Sequence, residues 1–329
     1  MEFQTNKEGS SRLRNYLTII LSTLIIVIFA IYVWQNWDRF AELFDLSVTS
    51  ISLLAGLTIF PIIGSGLINY ALYRELGAEV SMGESFGLSA VNSFVNMLPL
   101  SAGMIAKAMY LKRQHRLPYE RFLAATLALY IVFLFTSGLT GIAVLLYMDW
   151  ATSNSSPSIL YAAFLAMSAS ILTFAVPSYA KSETGSLKKR IAEAITGWEI
   201  LKKRPSLILW FIFIQLIMSL LFAWRLWIAF RTLSQDVTLA HCLLFSSATT
   251  LTQLVTIMPA GLGIREGIVA GVSSLQGFDA AASTLAVGLD RIVSSAVILV
   301  MGALSLGYMG KRIGSRPTQV DSNDDYQES

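Results

Sequence analysis

Five charged residues stand inside long apolar stretches of the sequence. Arg265 and Glu266 directly follow a segment rich in proline and glycine. Lys107 follows an earlier segment of the same kind, and Asp290 and Arg291 lie well inside the last apolar stretch. A charged side chain at the centre of a bilayer costs roughly 2.5–3.5 kcal/mol on insertion scales, so such residues usually pair or line a polar cavity. The five charges therefore form the candidate site.

Two interpretations of these charges are open. In the first, Arg265, Arg291 and Lys107 bind an anion such as a phosphate, while Glu266 and Asp290 orient the arginines or take up protons. In the second, Arg265–Asp290 and Glu266–Arg291 are internal ion pairs that lock two elements together. The interpretations are compatible, because a transporter can use such pairs as a gate. Arg225 is left out of the site, because a long side chain near the end of a span can reach the interface.

The composition places the chain in a membrane. Of its 329 residues, 54% are apolar and only 14% are charged, against roughly 25% charged residues in soluble domains. The mean hydropathy is +0.61. The single cysteine excludes a disulfide scaffold, and two histidines leave little material for a histidine metal site. We expect an integral membrane protein without a metal or cofactor.

Apolar length predicts the spans. A transmembrane helix needs about 20 mostly apolar residues, and six stretches meet this requirement: 16–34, 48–73, 122–148, 158–179, 206–230 and 281–308. Two further apolar stretches, 85–111 and 239–276, are interrupted at 99–103 and 259–263 by proline and glycine. Proline removes a backbone donor and clashes with the preceding turn, so neither stretch is expected to be one straight helix. We expect each to be a re-entrant helical hairpin.

The distribution of lysine and arginine predicts the orientation. If both broken stretches enter and leave on one side, Arg39 and Arg231 are the only basic residues in the loops on the second side. Nearly all other basic residues lie in the loops on the first side. By the positive-inside rule, the first side and both termini are cytoplasmic. The basic loop 181–205 also has apolar residues at helical spacing, which predicts an amphipathic helix on anionic membrane lipid and no nucleic-acid binding.

The element order predicts an internal inverted repeat. The sequence divides into a cytoplasmic segment 1–15, one membrane domain 16–309 and a disordered cytoplasmic tail 310–329. Within the domain, repeat one (about 48–148) and repeat two (about 206–309) each consist of a span, a broken hairpin and a span, and the basic loop 180–205 joins them. Inverted repeats with broken helices near the midplane are a recurring transporter design. The expected fold is therefore all-α and polytopic, although the breaks could instead merely improve packing.

Glycines belong to the candidate site as well. Gly261 and Gly263 lie where the second half-helix begins, and free backbone N–H groups at a helix start favour an anion. Gly263, Gly267 and Gly271 also form a small-residue stripe at four-residue spacing. The stripe predicts close packing of this half-helix against a neighbour, with a homodimer contact as the alternative.

Two segments resemble motifs of a known family. Segment 257–267, IMPAGLGIREG, resembles the P-x-G-x-G-x-R-E-G signature of the lysylphosphatidylglycerol synthase transmembrane family, which is also described as flippase-like. Segment 99–108, PLSAGMIAKA, is similar to the family's P-x-x-x-G-E-x-x-R-A element, with Met104 in place of the acid and Lys107 in place of the arginine. The resemblance implies a stand-alone flippase-like module, without the aminoacyl-transferase domain, in a prokaryotic inner membrane.

Three functions are compatible with the sequence. The leading hypothesis is a transporter, not an enzyme, that moves an anionic phospholipid or a polyprenyl-phosphate-linked precursor across the membrane. The second is a membrane partner or regulator of an enzyme of cell-envelope synthesis. The third is a membrane-embedded transferase acting on a lipid phosphate, with Glu266 or Asp290 as base. The third is disfavoured, because the sequence has no phosphate-binding loop, serine elbow or paired-histidine metal site.

Overall fold

The computed structural model describes residues 47–96, 102–152, 155–174, 202–254 and 263–315. The predicted span 16–34, both Pro-Gly breaks, nearly all of the basic loop 181–205 and the tail beyond 315 lie outside these residues. Within them the chain folds into α-helices without strands, joined by short turns. The predicted all-α, polytopic fold class is confirmed.

The described ranges contain nine α-helices, which are numbered here in chain order. They are α1 (Val48–Glu75), α2 (Met82–Val95), α3 (Ala102–His115), α4 (Tyr119–Thr152), α5 (Ser158–Ala169), α6 (Pro205–Thr232), α7 (Leu239–Thr249), α8 (Ile264–Leu275) and α9 (Ala280–Ser315). Short 3₁₀ turns continue α5 through Ser170–Phe174 and α7 through Thr250–Leu254.

Four of these helices, α1, α4, α6 and α9, are long and apolar enough to cross a membrane. Their bounds agree with the predicted spans to within four residues, with one exception. Helix α9 continues to Ser315, so the first six residues of the segment 310–329, which was predicted to be a disordered tail, are helical. The span predicted at 158–179 begins as α5 and narrows to a 3₁₀ turn before its last residues leave the described range. Large apolar side chains on the outside of the bundle, such as Trp150, Leu209 and Ile292, are exposed, as expected for a lipid-facing surface.

Helices α2 and α3 form the first predicted hairpin. Ser81 caps α2, and Glu84 in its first turn accepts a hydrogen bond from Tyr110 Oη at 2.5 Å. The same carboxylate oxygen lies 2.7 Å from Nε2 of His115, the last residue of α3. Because the start of α2 touches the end of α3, the chain returns to the side from which it entered.

Helices α7 and α8 form the second hairpin in the same way. The ring of His241, in the first turn of α7, packs edge-on against Phe278, three residues beyond the end of α8, with centroids 4.7 Å apart. Entry and exit therefore lie together here too. Both broken stretches are re-entrant, as predicted.

Helix α9 shows that the two hairpins open on opposite sides. It starts two residues after Phe278, at the mouth of the second hairpin. A Cβ placed on Gly83, at the mouth of the first hairpin, would lie 3.7 Å from Oη of Tyr308 near the other end of α9. At 1.5 Å per residue, the intervening helix is roughly 40 Å long, enough to cross a hydrocarbon core of about 30 Å. We refer to the two faces as the first-hairpin side and the second-hairpin side.

Two apolar clusters hold the hairpins against the long helices. The first cluster joins α1 to α4, α6 and the first hairpin and includes Tyr73, Leu111 and Phe211. The second includes Leu226 and Phe245 and is formed by residues of α1 and of every helix from α4 through α9. These clusters leave a polar interior between them, which holds the candidate site.

Cysteine labelling tests the opposed hairpins. Cysteines introduced at the exposed positions Glu79 and Glu120 should react with a membrane-impermeant maleimide from one side only, and cysteines at Asp236 and Asp279 from the other side only. The native Cys242 is buried, which keeps the background low. Labelling of positions 79 and 236 from the same side would contradict the opposed arrangement.

Candidate functional site

Asp290 lies at the centre of the charged site and is completely buried. Its Oδ2 accepts a hydrogen bond from Nη2 of Arg265 at 2.8 Å. Its Oδ1 forms an ion pair with Nη2 of Arg225 at 2.6 Å. One carboxylate on α9 therefore joins α6 and α8, and it neutralises only one of the two arginines.

Glu266 makes a second set of contacts beside the first. Its Oε1 accepts a hydrogen bond from Nη1 of Arg291 at 2.5 Å, and its Oε2 accepts one from the backbone N–H of Gly263 at 2.9 Å. Gly263 has a φ of +80°, a left-handed conformation that favours glycine. The Glu266 carboxylate thus accepts the hydrogen bond of a backbone N–H group at the start of α8. The sequence analysis predicted that this group would bind an anion.

Both predicted ion pairs, Arg265–Asp290 and Glu266–Arg291, are present. Three arginines and two carboxylates meet in this cluster, so it carries one excess positive charge. The guanidinium of Arg265 also stacks on Phe222, 3.9 Å from the ring centroid, a contact that fixes a cation against an aromatic face. Arg265 keeps part of its side chain exposed, at 23%, and the excess charge is accessible there.

A cavity of about 380 Å³ lies towards the first-hairpin side. Its wall contains Lys107 of α3 and three asparagines: Asn69 on α1, Asn92 on α2 and Asn96 directly after α2. The remaining polar lining consists of serine, threonine, glutamine and tyrosine side chains: Ser65, Ser89, Ser93, Thr126, Tyr130, Gln215, Thr252 and Gln253. No ion pair involves Lys107 within the described residues. The cavity is therefore polar and carries one unneutralised cation.

A second cavity of about 250 Å³ adjoins the first. Arg225 and Arg265 line it, together with the hydroxyl groups of Ser246, Thr249 and Thr250. The two cavities share four wall residues: Gln215, Met218, Thr252 and Gln253. The two cavities are therefore neighbours, and Gln215 and Gln253 lie at the junction between them. We refer to the two adjacent cavities, from Lys107 past this junction to Arg265, as the polar route.

A family model described as the lysylphosphatidylglycerol synthase TM region matches residues 16–302. The chain belongs to this family. It is also similar to a UPF0104 membrane protein of Methanothermobacter thermautotrophicus, with 23% identity over 271 residues, 74% of this chain and 80% of the relative. The match covers both hairpins and the helices around them.

Two residues of the first hairpin, Met104 and Lys107, are the positions at which segment 99–108 differs from the motif that it resembles. Both residues line the first cavity. Helix α3 therefore contributes a thioether and an ammonium group to this cavity.

The predicted site residues divide between the cavities and the cluster behind them. Lys107 lines the first cavity and Arg265 lines the second. Gly263 and Glu266 are engaged at the start of α8, and Arg291 pairs with Glu266. Asp290 is buried behind Arg265. Gly261 lies outside the described residues, and the substrate-binding role of all seven stays a prediction.

Arg225 was placed wrongly by the sequence argument. Its side chain does not reach towards the interface; it is buried and pairs with Asp290. The helix α6 extends past it to Thr232, so Arg225 lies deeper than a residue near a span end. Its partner, Asp290, lies on α9. The position of Arg225 along its own span could not reveal this contact with another helix.

The amide residues of the first cavity were also missed. Asn69 and Gln215 are isolated polar residues in apolar spans, and they carry no charge to draw attention. A signal existed in α2, where Ser85, Ser89 and Asn92 recur at spacings of four and three residues. That spacing places them on one helix face, and a polar face within an apolar helix indicates a polar cavity.

Among the described residues, the glycine stripe lacks the close helix contact that was predicted for it, while the alternative of a homodimer contact stays a prediction. A Cβ placed on Gly267 or Gly271 would meet no atom within 4 Å among the described residues, and both glycines are exposed. Gly263 is needed for its backbone conformation instead. The expected close contact with a neighbouring helix is therefore absent from the part of the chain that the structure describes.

Asparagine at position 290 should destabilise the protein strongly. The substitution Asp290→Asn leaves two arginines without their carboxylate, and breaking a buried ion pair costs about 3–5 kcal/mol. We expect a markedly lower melting temperature in detergent. The matched control is Asp236→Asn, which removes an exposed ion pair with Arg231 and should change little. Equal melting temperatures for the two variants would contradict the central role of Asp290.

Proposed function

We propose that this chain is a flippase-like transporter that moves an anionic lipid across the membrane. The cargo is a phospholipid or a polyprenyl-phosphate-linked precursor. The proposal places the protein in the cell membrane, the inner membrane of a prokaryote, with both termini and the first-hairpin side facing the cytoplasm. It includes no catalytic step.

The observation that carries the proposal is the pair of adjoining polar cavities between opposed hairpins. A lipid headgroup needs a hydrated, polar path through the hydrocarbon, because transfer of an unpaired charge into an apolar medium is very costly. The junction at Gln215 and Gln253 joins a cavity of the first-hairpin side to the cavity that Arg225 and Arg265 line. Rocking of one repeat against the other would expose the route to each side in turn.

The charges along the route favour an anion. Its lining cations are Lys107, Arg225 and Arg265, and no carboxylate is among the described lining residues. The carboxylates of Asp290 and Glu266 are buried and face arginines. A phosphate group is the anion that suits such a route, since arginine and lysine bind it by charge-assisted hydrogen bonds.

Lipid translocation in reconstituted vesicles tests the proposal. Vesicles that contain the protein should expose an acyl-labelled phosphatidylglycerol to external dithionite faster than empty vesicles do. The variant Lys107→Met should slow this about tenfold or more, because a lost hydrogen bond to a charged group is worth roughly 1.5–3 kcal/mol. The control Lys112→Met changes an exposed lysine of the same helix and should transport normally.

The outcome also separates the proposal from its main alternative. A folded protein that leaves translocation of every anionic lipid at the rate of empty vesicles would contradict the transporter. The second hypothesis, a partner or regulator of an enzyme of envelope synthesis, would then predict that crosslinking in native membranes recovers such an enzyme.

A further inference from the structure

The lining of the route narrows the class of cargo, on the premise that the proposed function holds. We propose that the headgroup is an uncharged sugar or polyol attached through a phosphate, and that cationic headgroups such as aminoacyl esters are excluded. In this assignment the cations bind the phosphate, and the amide side chains of the first cavity form hydrogen bonds with the hydroxyl groups of the headgroup. Three independent features of the lining support this assignment.

The first feature is the number of neutral hydrogen-bonding groups. An amide side chain offers donors and acceptors together, and a hydroxyl-rich headgroup needs both. Asn69 donates one hydrogen bond from Nδ2 to Oγ of Ser89 at 2.8 Å. The side-chain oxygen of Asn96 accepts one from the backbone N–H of Gly103 at 3.2 Å. The side chain of Asn92 makes no hydrogen bond within the described residues. These three amides therefore keep unused donors and acceptors that face the cavity.

The second feature is an unsatisfied acceptor at the junction. The Oε1 atom of Gln253 is buried and has no hydrogen-bond partner within the described residues. Buried polar atoms without a partner are rare and costly. A hydroxyl group that passes between Gln215 and Gln253 would donate a hydrogen bond to this oxygen. The free acceptor at the junction therefore suits a neutral hydrogen-bond donor such as a hydroxyl group.

The third feature excludes a positive headgroup. An ammonium group in either cavity would find Lys107, Arg225 or Arg265 and no carboxylate among the described lining residues. The hairpin segments outside the described residues, 97–101 and 255–262, contain no acidic residue either. A buried cation without a partner is strongly disfavoured, so the route selects against it.

The volume limits the size of the headgroup. A cavity of about 380 Å³ is near the lower end of the range for small-molecule sites, which is roughly 300–1,000 Å³. It accommodates one sugar or one polyol ring with its phosphate. A long glycan would extend beyond the cavity.

Three acyl-labelled lipids in the same vesicles test the inference. They are phosphatidylinositol, which has a phosphate and a polyol, phosphatidic acid, which has the phosphate alone, and lysylphosphatidylglycerol, which has a cationic ester. We expect phosphatidylinositol to move at least about tenfold faster than the other two, since one well-placed hydrogen bond is worth about that factor.

Substitution of one amide tests the same assignment from the protein side. Asn92→Leu should slow phosphatidylinositol about tenfold and leave phosphatidic acid unchanged, a pattern that a merely structural defect would not produce. The matched control is Gln235→Leu. This amide lies outside both cavities, where its one described side-chain contact is 3.5 Å long, and the variant should move both lipids normally.

The other outcomes are distinguishable. Equal rates for phosphatidylinositol and phosphatidic acid, or an equal effect of Asn92→Leu on both, would overturn the inference and leave the anionic transporter standing. Fastest movement of lysylphosphatidylglycerol would overturn the inference and contradict the anionic cargo. No protein-dependent movement of any lipid would overturn the proposed function and the inference together.

Discussion

A carboxylate that is completely buried between two arginines determines the arrangement of this membrane domain. Asp290 brings together α6, through Arg225, and α8, through Arg265, and its own carboxylate is completely buried between them. Burial of three charges is expensive, and only close mutual contact makes it tolerable. The position of the second hairpin relative to the long helices therefore depends on this contact. So does the second cavity, because the same two arginines form its charged wall.

The start of α8 adds a second constraint of the same kind. Gly263 takes a left-handed conformation, and Glu266 holds its N–H group while pairing with Arg291 of α9. The two contacts with α9 lie on consecutive residues, 265 with 290 and 266 with 291. Helix α8 can therefore neither rotate nor slide along α9 without breaking both pairs. A conformational change in this half of the molecule must move α8 and α9 as one unit.

Much of this arrangement could be predicted from the sequence, because the bilayer constrains length and charge so strongly. The length of the apolar stretches predicted the spans, and proline and glycine predicted the helix breaks. The charged residues inside apolar segments suggested both ion pairs as one of two interpretations. The rest depends on contacts between distant helices. Arg225 contacts Asp290 only because α6 and α9 pack together. The residue pattern within α6 does not predict that packing. Asn69 and Gln215 are neutral, so no energetic penalty marked them before the cavity was visible.

The two cavities of the route differ in chemistry, although each lies beside a broken hairpin. The first hairpin contributes amides and one lysine, and the second contributes arginines whose charge Asp290 partly neutralises. In the proposed transporter this partial neutralisation would favour turnover, since a site must bind its cargo well enough to admit it and weakly enough to release it. Two uncompensated arginines would attract a phosphate more strongly than the single excess charge that remains with Asp290 between them. On the same proposal, the amides of the first cavity and this single excess charge would bind different parts of one headgroup, so neither cavity alone would have to hold it tightly.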